Sequence, residues 1–285
     1  MHAAETVLAE PRRLQRAQGL GALSVKAASG ATRIENLRQE GAAKLRFPSK
    51  TSAALEAVLI NTAGGQTGGD RFAWEFAAGP GTALSLTSQA CEKIYRAGSG
   101  HSEVTVSLSV GECASLAWLP QETIVYNGAA LRRAIHADLA ENASLILAES
   151  VIFGRTAMGE TVISGSLADR WRIRSKGRLV HAEDLSLGPS PDESLAFSAI
   201  AGGGRALATL LCIGPDAESR LEPLRLLFAA HSGQVSAGAS HVAIGGTGKL
   251  LARIIAKDGI SLRQVLAPAL ALLNGKAGLP KIWTS

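Results

Sequence analysis

From Leu20 to about Gly214, apolar and polar residues alternate in short runs broken by Gly, Asn and Ser. Glu103–Val110 (EVTVSLSV) is the clearest case: Val104, Val106, Leu108 and Val110 fall on one side of an extended chain and small polar residues on the other. A period of two is the geometry of a half-buried strand. The same pattern predicts strands over Ala54–Ile60, Thr82–Leu86, Leu131–Leu139, Ser144–Ala148, Thr161–Leu167 and Leu207–Ile213.

A weak repeat runs through this region. TALSLTSQ, ASLAWLPQ and ASLILAES superpose on Leu84, Leu116 and Leu145, which are 32 and 29 residues apart. A period near 30 in strand-rich sequence predicts stacked β-layers, each burying its face on the next. After Gly214 the texture changes. Leu221, Leu224, Leu227 and Phe228 have helical spacing within Ser219–His231, and Pro223 is tolerable in a first turn. Strands over Val242–Ile244 and Leu250–Ile255 flank a Gly245–Gly248 turn. Ser261 then offers an N-cap for a helix to Leu273, ended by Asn274–Gly275 and kinked at Pro268. The fold class is thus mainly β: a β-helix-like stack of short-stranded sheets with two helices near the C-terminus. Residues 1–19 read as a poorly ordered N-terminal extension. With no Pro/Ser-rich linker, 20–285 reads as a single domain, strand-rich to about 214 and helix-containing over 215–285.

Composition narrows the function. A hydrophobic content of 46% with 19% charged residues is globular, and 4% aromatics argue against a base-stacking surface for single-stranded nucleic acid. A formal charge of +5 is modest. No apolar run approaches the roughly 20 residues of a membrane span, and 1–19 lacks the apolar core of a secretory signal. Cys91, Cys113 and Cys212 are odd in number and far apart, which fits reduced thiols and a cytoplasmic location.

Three phrases stand out: Leu59–Asp70 (LINTAGGQTGGD), Trp118–Arg133 (WLPQETIVYNGAALRR) and Glu149–Glu160 (ESVIFGRTAMGE). None holds a nucleophile–base pair, so catalytic residues are not expected. Two segments imitate phosphate loops and fail. Gly245–Leu250 has Leu250 where a Ser/Thr would bind magnesium, and the Gly64–Asp70 loop lacks the lysine. Both read as turns needing positive φ. His2, His101, His136, His181, His231 and His241 show no ligand spacing, so no permanent metal site is expected.

Asp70, Glu92, Glu122, Glu149 and Glu160 all sit in these phrases or in the linked QACEKIYR (Gln89–Arg96), beside apolar residues. A carboxylate in such company needs a partner or water. Arg96, Arg133 and Arg155 are the candidate partners. Arg170, Arg172, Arg174, Lys176 and Arg178 recur at every second position, which on one strand forms a basic face opposite Trp171, Ile173 and Leu179. That face is either a charge-protected edge or a docking surface for an acidic protein.

Taken together, NTAGGQTGGD at Asn61–Asp70, QACEKIYR, WLPQETIVYNGAALRR, ESVIFGRTAMGE and LPKIW at Leu279–Trp283 resemble the UreD (UreH) family of urease accessory proteins, in order and across most of the chain. Cys91 departs from the pattern, where a small residue such as Ala is expected. The resemblance implies a nickel-related maturation factor and not an enzyme. Its partners would be apo-urease subunits, an F-type accessory protein and, through that, the G-type GTPase that carries nickel. It also implies a β-helix-like fold with a pair of late helices. Nickel would pass transiently, and Asp70, Glu92, Glu122, Glu149 and Glu160 are the candidate lining of a passage. The rivals are a stand-alone β-solenoid binding module, a hydrolase on a β-stack and a nickel store. They would need, respectively, exposed aromatic ladders with a secretion signal, a selected carboxylate or Ser/His/Asp set, and His- or Cys-rich tracts.

Overall fold

The computed structural model describes residues 15–48, 54–155, 158–244 and 246–283. Within them the strands form two sheets. The seven-stranded sheet runs, edge to edge, through β14 (Arg178–Leu187), β13 (Ser166–Ser175), β11 (Ala130–Leu139), β8 (Ser102–Val110), β5 (Arg71–Ala78), β1 (Gln18–Ala28) and β2 (Ala31–Gly41). The ten-stranded sheet runs through β16 (Val235–Ile244), β17 (Thr247–Ala256), β15 (Ala206–Ile213), β12 (Ser144–Phe153), β9 (Ser115–Trp118), β6 (Ala83–Ser88), β4 (Leu55–Asn61) and β3 (Ala43–Arg46). Two short strands, β7 (Glu92–Ile94) and β10 (Thr123–Val125), attach to the far end of β12.

Parallel strands cannot be joined by a tight turn and need a long crossover. Here the opposite sheet supplies it. The chain passes from β5 to β6, β8 to β9 and β11 to β12, so that each pair is one turn of a coil. The repeat anchors take the same place in successive turns, with Leu84 beside Leu116 and Leu116 beside Leu145. Glu92, Thr123 and Val151 are likewise side by side on a short third side. At the two ends of the seven-stranded sheet the parallel series gives way to antiparallel hairpin strands, β2 and β14.

The inward residues of both sheets make the first core. Leu86, Leu145, Leu147, Ile135 and Trp171 are within 1% of complete burial. Each such side chain contributes about 1.5–3 kcal/mol of transfer free energy. Phe76 packs between Trp74 and Trp118, with centroids at 6.4 and 5.9 Å. The outer face of the ten-stranded sheet is covered by α2 (Leu221–Ala230) and α3 (Gly259–Asn274), forming a second core. On α3 the buried Leu262, Val265, Leu266, Ala269, Leu270 and Leu273 recur at helical spacing.

Several expectations are corrected. Thr161–Gly165 is a loop, and the strand begins at Ser166. Ser164 N donates to the Asn127 side chain at 3.0 Å in place of a ladder partner. The basic run is not one strand. Lys176 and Gly177, with φ of +51° and +73°, form a two-residue hairpin turn between β13 and β14, so Arg178 starts the return strand. Asp258, not Ser261, caps α3: its side chain accepts from Ser261 N at 2.8 Å. α3 runs from Gly259 through Pro268 to Asn274, close to the expected helix. A short helix, α1 (Pro191–Ala196), was not expected. Most of the N-terminal extension, 1–14, and Gly245 of the late turn lie outside the described residues.

Candidate functional site

The conspicuous phrases are neighbours in space because they are one region of the coil repeated turn by turn. Several of their polar residues gather where the short third side meets the two sheets, and there they line a partly open cavity of about 320 Å³. That is room for several water molecules. Its polar lining includes Asn61, Gln66, Glu92, Thr123, Arg133 and Glu149.

At the inner end, Arg133 on β11 is almost fully buried and serves two carboxylates. Its Nε donates to Asp169 Oδ1 at 3.1 Å, and its Nη1 is in ion-pair contact with Glu149. Trp118 Nε1 donates to Glu149 Oε1 at 2.8 Å, and Trp171 Nε1 to Asp169 Oδ1 at 3.0 Å. Two carboxylates share one guanidinium, so the ionised cluster carries an excess negative charge on side chains that are almost fully buried. Burial is the main reason the Glu149 carboxyl is pushed up to about 7. Arg133 opposes that shift and Asp169 adds to it. Glu149 Oε2, though beside Arg133, has no aligned hydrogen-bond donor.

Toward the outer end, Glu92 accepts from Asn61 Nδ2 at 3.2 and 3.3 Å, and burial raises its pKa above the ordinary carboxylate value. Cys91 lines the same stretch. Burial first, and Glu122 second, push its thiol up to about 11.

The other three candidate carboxylates are engaged elsewhere. Asp70 accepts from Ala17 N and Thr67 N, both at 2.8 Å, and so ties the glycine-rich loop to the start of β1. Glu122 faces α3 and pairs with Arg263 at 3.0 Å. Glu160 accepts from Arg155 Nε at 2.8 Å and from Asn127 N at 3.3 Å, joining two loops; the Arg155 hydrogen bond holds its carboxyl low. Of the expected cationic partners, Arg133 and Arg155 act as such. Arg96 makes no ion pair among the described residues. On the outer face, Arg170 and Arg172 both bind Asp184 at 2.7 Å, and Arg174 is exposed.

Asp169 and Arg263 escaped the sequence reading. For Asp169 a signal existed, since it alternates in phase with Trp171 and Ile173 and therefore points inward. Arg263 contacts Glu122 across 141 residues, which no local pattern carries. Among the described residues no three His, Cys, Asp or Glu side chains converge as a metal cage, and no helix is long and apolar enough to cross a membrane.

The family profile described as UreD urease accessory protein matches residues 17–284. A urease accessory protein UreD of Mesorhizobium japonicum is 50% identical over 274 residues, covering 96% of both chains. One of Rhizobium johnstonii is 48% identical over 278 residues, covering 98% of this chain and 99% of the relative. Urease accessory protein UreD 1 of Brucella melitensis is 46% identical over 271 residues, 95% of each. With a profile match over nearly its whole length and relatives near half identity, this chain belongs to the UreD family of urease accessory proteins.

Proposed function

We propose that this chain is a non-catalytic, cytoplasmic maturation factor. It binds apo-urease and, with the F-type accessory protein and through it the G-type GTPase, allows nickel to reach the urease active site. The observation that carries the reading is the partly open cavity with Glu92 toward one end and the over-negative Glu149–Arg133–Asp169 cluster at the other. A dication in transit needs enough oxygen to offset part of its lost hydration and too few fixed ligands to be trapped. Carboxylates spaced along a cavity meet both demands. Glu92 and Glu149 are the passage carboxylates of this reading. Asp70, Glu122 and Glu160 keep the walls in place.

The basic face of β13, with the exposed Arg174 near the hairpin end of the strand, is the proposed contact for an acidic partner surface. The Arg170–Asp184–Arg172 cluster sets the rim of that contact.

The test is co-expression with the urease subunits, with and without the F-type and G-type proteins, followed by affinity purification and urease assay after nickel addition. Glu149→Gln and Glu92→Gln should lower activation while the complex still assembles, and Glu160→Gln should change activation little. Loss of assembly in step with loss of activation would make these carboxylates structural and remove the passage. Failure of the chain to retain apo-urease, with activation intact in its absence, would favour a stand-alone binding module instead.

A further inference from the structure

Leu279–Trp283 is fastened at one place. Trp283 is 4% exposed, and its Nε1 donates to Leu119 O at 3.1 Å. Ile282 O accepts from Gln121 Nε2 at 3.3 Å. From α3, Arg263 reaches the same turn. Its Nη1 donates to Gln121 Oε1 at 3.1 Å and to both Glu122 oxygens at 3.0 and 3.2 Å. Its Nη2 donates to Trp283 O at 3.4 Å, and the guanidinium lies 4.8 Å from the Trp283 ring centroid.

The Pro120–Glu122 turn has the cavity on its other side. Pro120 and Gln121 are part of the cavity wall. Glu122 O accepts from Glu92 N at 3.0 Å, and Cys91 Sγ donates to Glu122 Oε2 at 3.4 Å. One turn therefore separates the C-terminal segment from the cavity, and one arginine binds the turn and the segment together. The energetics give that arginine leverage. Glu122 is 2% exposed, so without Arg263 its carboxylate has lost its cation and gains most by moving out to water. Such a move would carry the turn with it.

We propose that Leu279–Trp283 is a strap, latched by Arg263, that holds the Pro120–Glu122 turn against the cavity, and that releasing the strap widens the opening at the part-exposed Cys91 and Glu92. Its consequence for nickel rests on the passage reading above: a partner that grips α3 or the strap would govern entry to the cavity. The latch itself stands on the geometry alone.

Cys91 reports the state of the turn. Cys91 is part-exposed already; widening would expose the thiol further and relieve the burial that keeps it protonated, and both effects speed alkylation. The full chain is treated with iodoacetamide at fixed pH, and the peptides containing Cys91, Cys113 and Cys212 are followed separately by mass spectrometry. In Arg263→Gln, and independently in Trp283→Ala, Cys91 should react roughly tenfold faster or more, as expected when a closed local state opens. Cys212, in the core beneath the helices, should stay protected, and exposed Cys113 should be unchanged. An unchanged Cys91 rate in both variants overturns the latch. So does a parallel rise at Cys212, which would mean general loosening. A faster Cys91 with normal urease activation upholds the latch and counts against the passage.

Discussion

Gly65 lies against the ring of Tyr95 so closely that a Cβ there would stand 2.3 Å from a ring carbon. Its φ is +155°, which L side chains rarely adopt. Its neighbour Gly64 also has positive φ, +76°, but faces open space. The two glycines of one motif therefore have different reasons to be glycine. Gly64→Ala should cost about 1 kcal/mol, for backbone strain alone. Gly65→Ala should cost about 3 kcal/mol, because overpacking against Tyr95 adds to the strain. Urea denaturation of the two variants measures the difference, and equal losses would remove the packing role of Gly65.

The buried guanidinium of Arg133 is expected to matter more to folding than either carboxylate it holds. Arg133→Met leaves Glu149 and Asp169 buried without a cation, a loss of about 3–5 kcal/mol. Adding Glu149→Gln to that variant should restore part of the loss, since one of the two stranded charges is gone. The four unfolding free energies of this double-mutant cycle provide the check. Strict additivity would mean that the two residues do not share a network.

The Glu149 carboxyl also predicts a pH dependence. Its pKa rises from 4.5 to about 7 on folding, so between those values the folded chain binds the proton more readily than the unfolded one. The stability this group contributes is present in full below about pH 4.5 and is lost as pH rises through about 7. His181 works in the opposite sense. Burial, with help from Lys249 and Arg253, pushes it down from 6.5 to about 4, so stability falls as pH drops across that window. Glu149→Gln isolates the first effect. The stability of the native chain minus that of the variant should decline steadily from pH 4.5 to 7. A flat difference would refute the assignment.

Capping of α3 gives a direct contrast between adjacent candidates. Asp258→Ala removes the acceptor for Ser261 N and should cost about 1 kcal/mol. Ser261→Ala keeps the backbone donor and should cost much less. Thermal unfolding of both variants ranks them, and the reverse order would restore Ser261 as the cap.

Much of the coil was legible because its turns obey short-range rules. The alternation in Glu103–Val110 marks a strand, and Leu84, Leu116 and Leu145 mark the repeat because side chains stacked in register meet the same neighbours. The third side was not legible: Glu92–Ile94 and Thr123–Val125 are three residues each, too short for a period to appear. The end of β13 was misread because Lys176 continues the basic spacing while its backbone turns left-handed. Within the candidate site, the sequence marked carboxylate-rich phrases but could not separate Glu149, which faces the cavity, from Asp70, which caps a loop. That distinction depends on Arg133, facing Glu149 across one turn of the coil, and on Ala17, 53 residues from Asp70.

A coil of parallel strands has no inherent length. Its last strand offers the same unpaired backbone groups that its penultimate strand offered to it, so a second molecule could continue the series into a fibre. The hairpin strands at the two ends of the seven-stranded sheet interrupt that logic. β2 and β14 run against the series and set Arg33, Glu35, Arg38 and Glu40 at one end, and Arg178 and Asp184 at the other. A neighbour adding in register would meet the wrong chain direction and a row of charges needing solvent. These strands act as end stops against polymerisation, and they let a fold built by repetition remain a discrete particle.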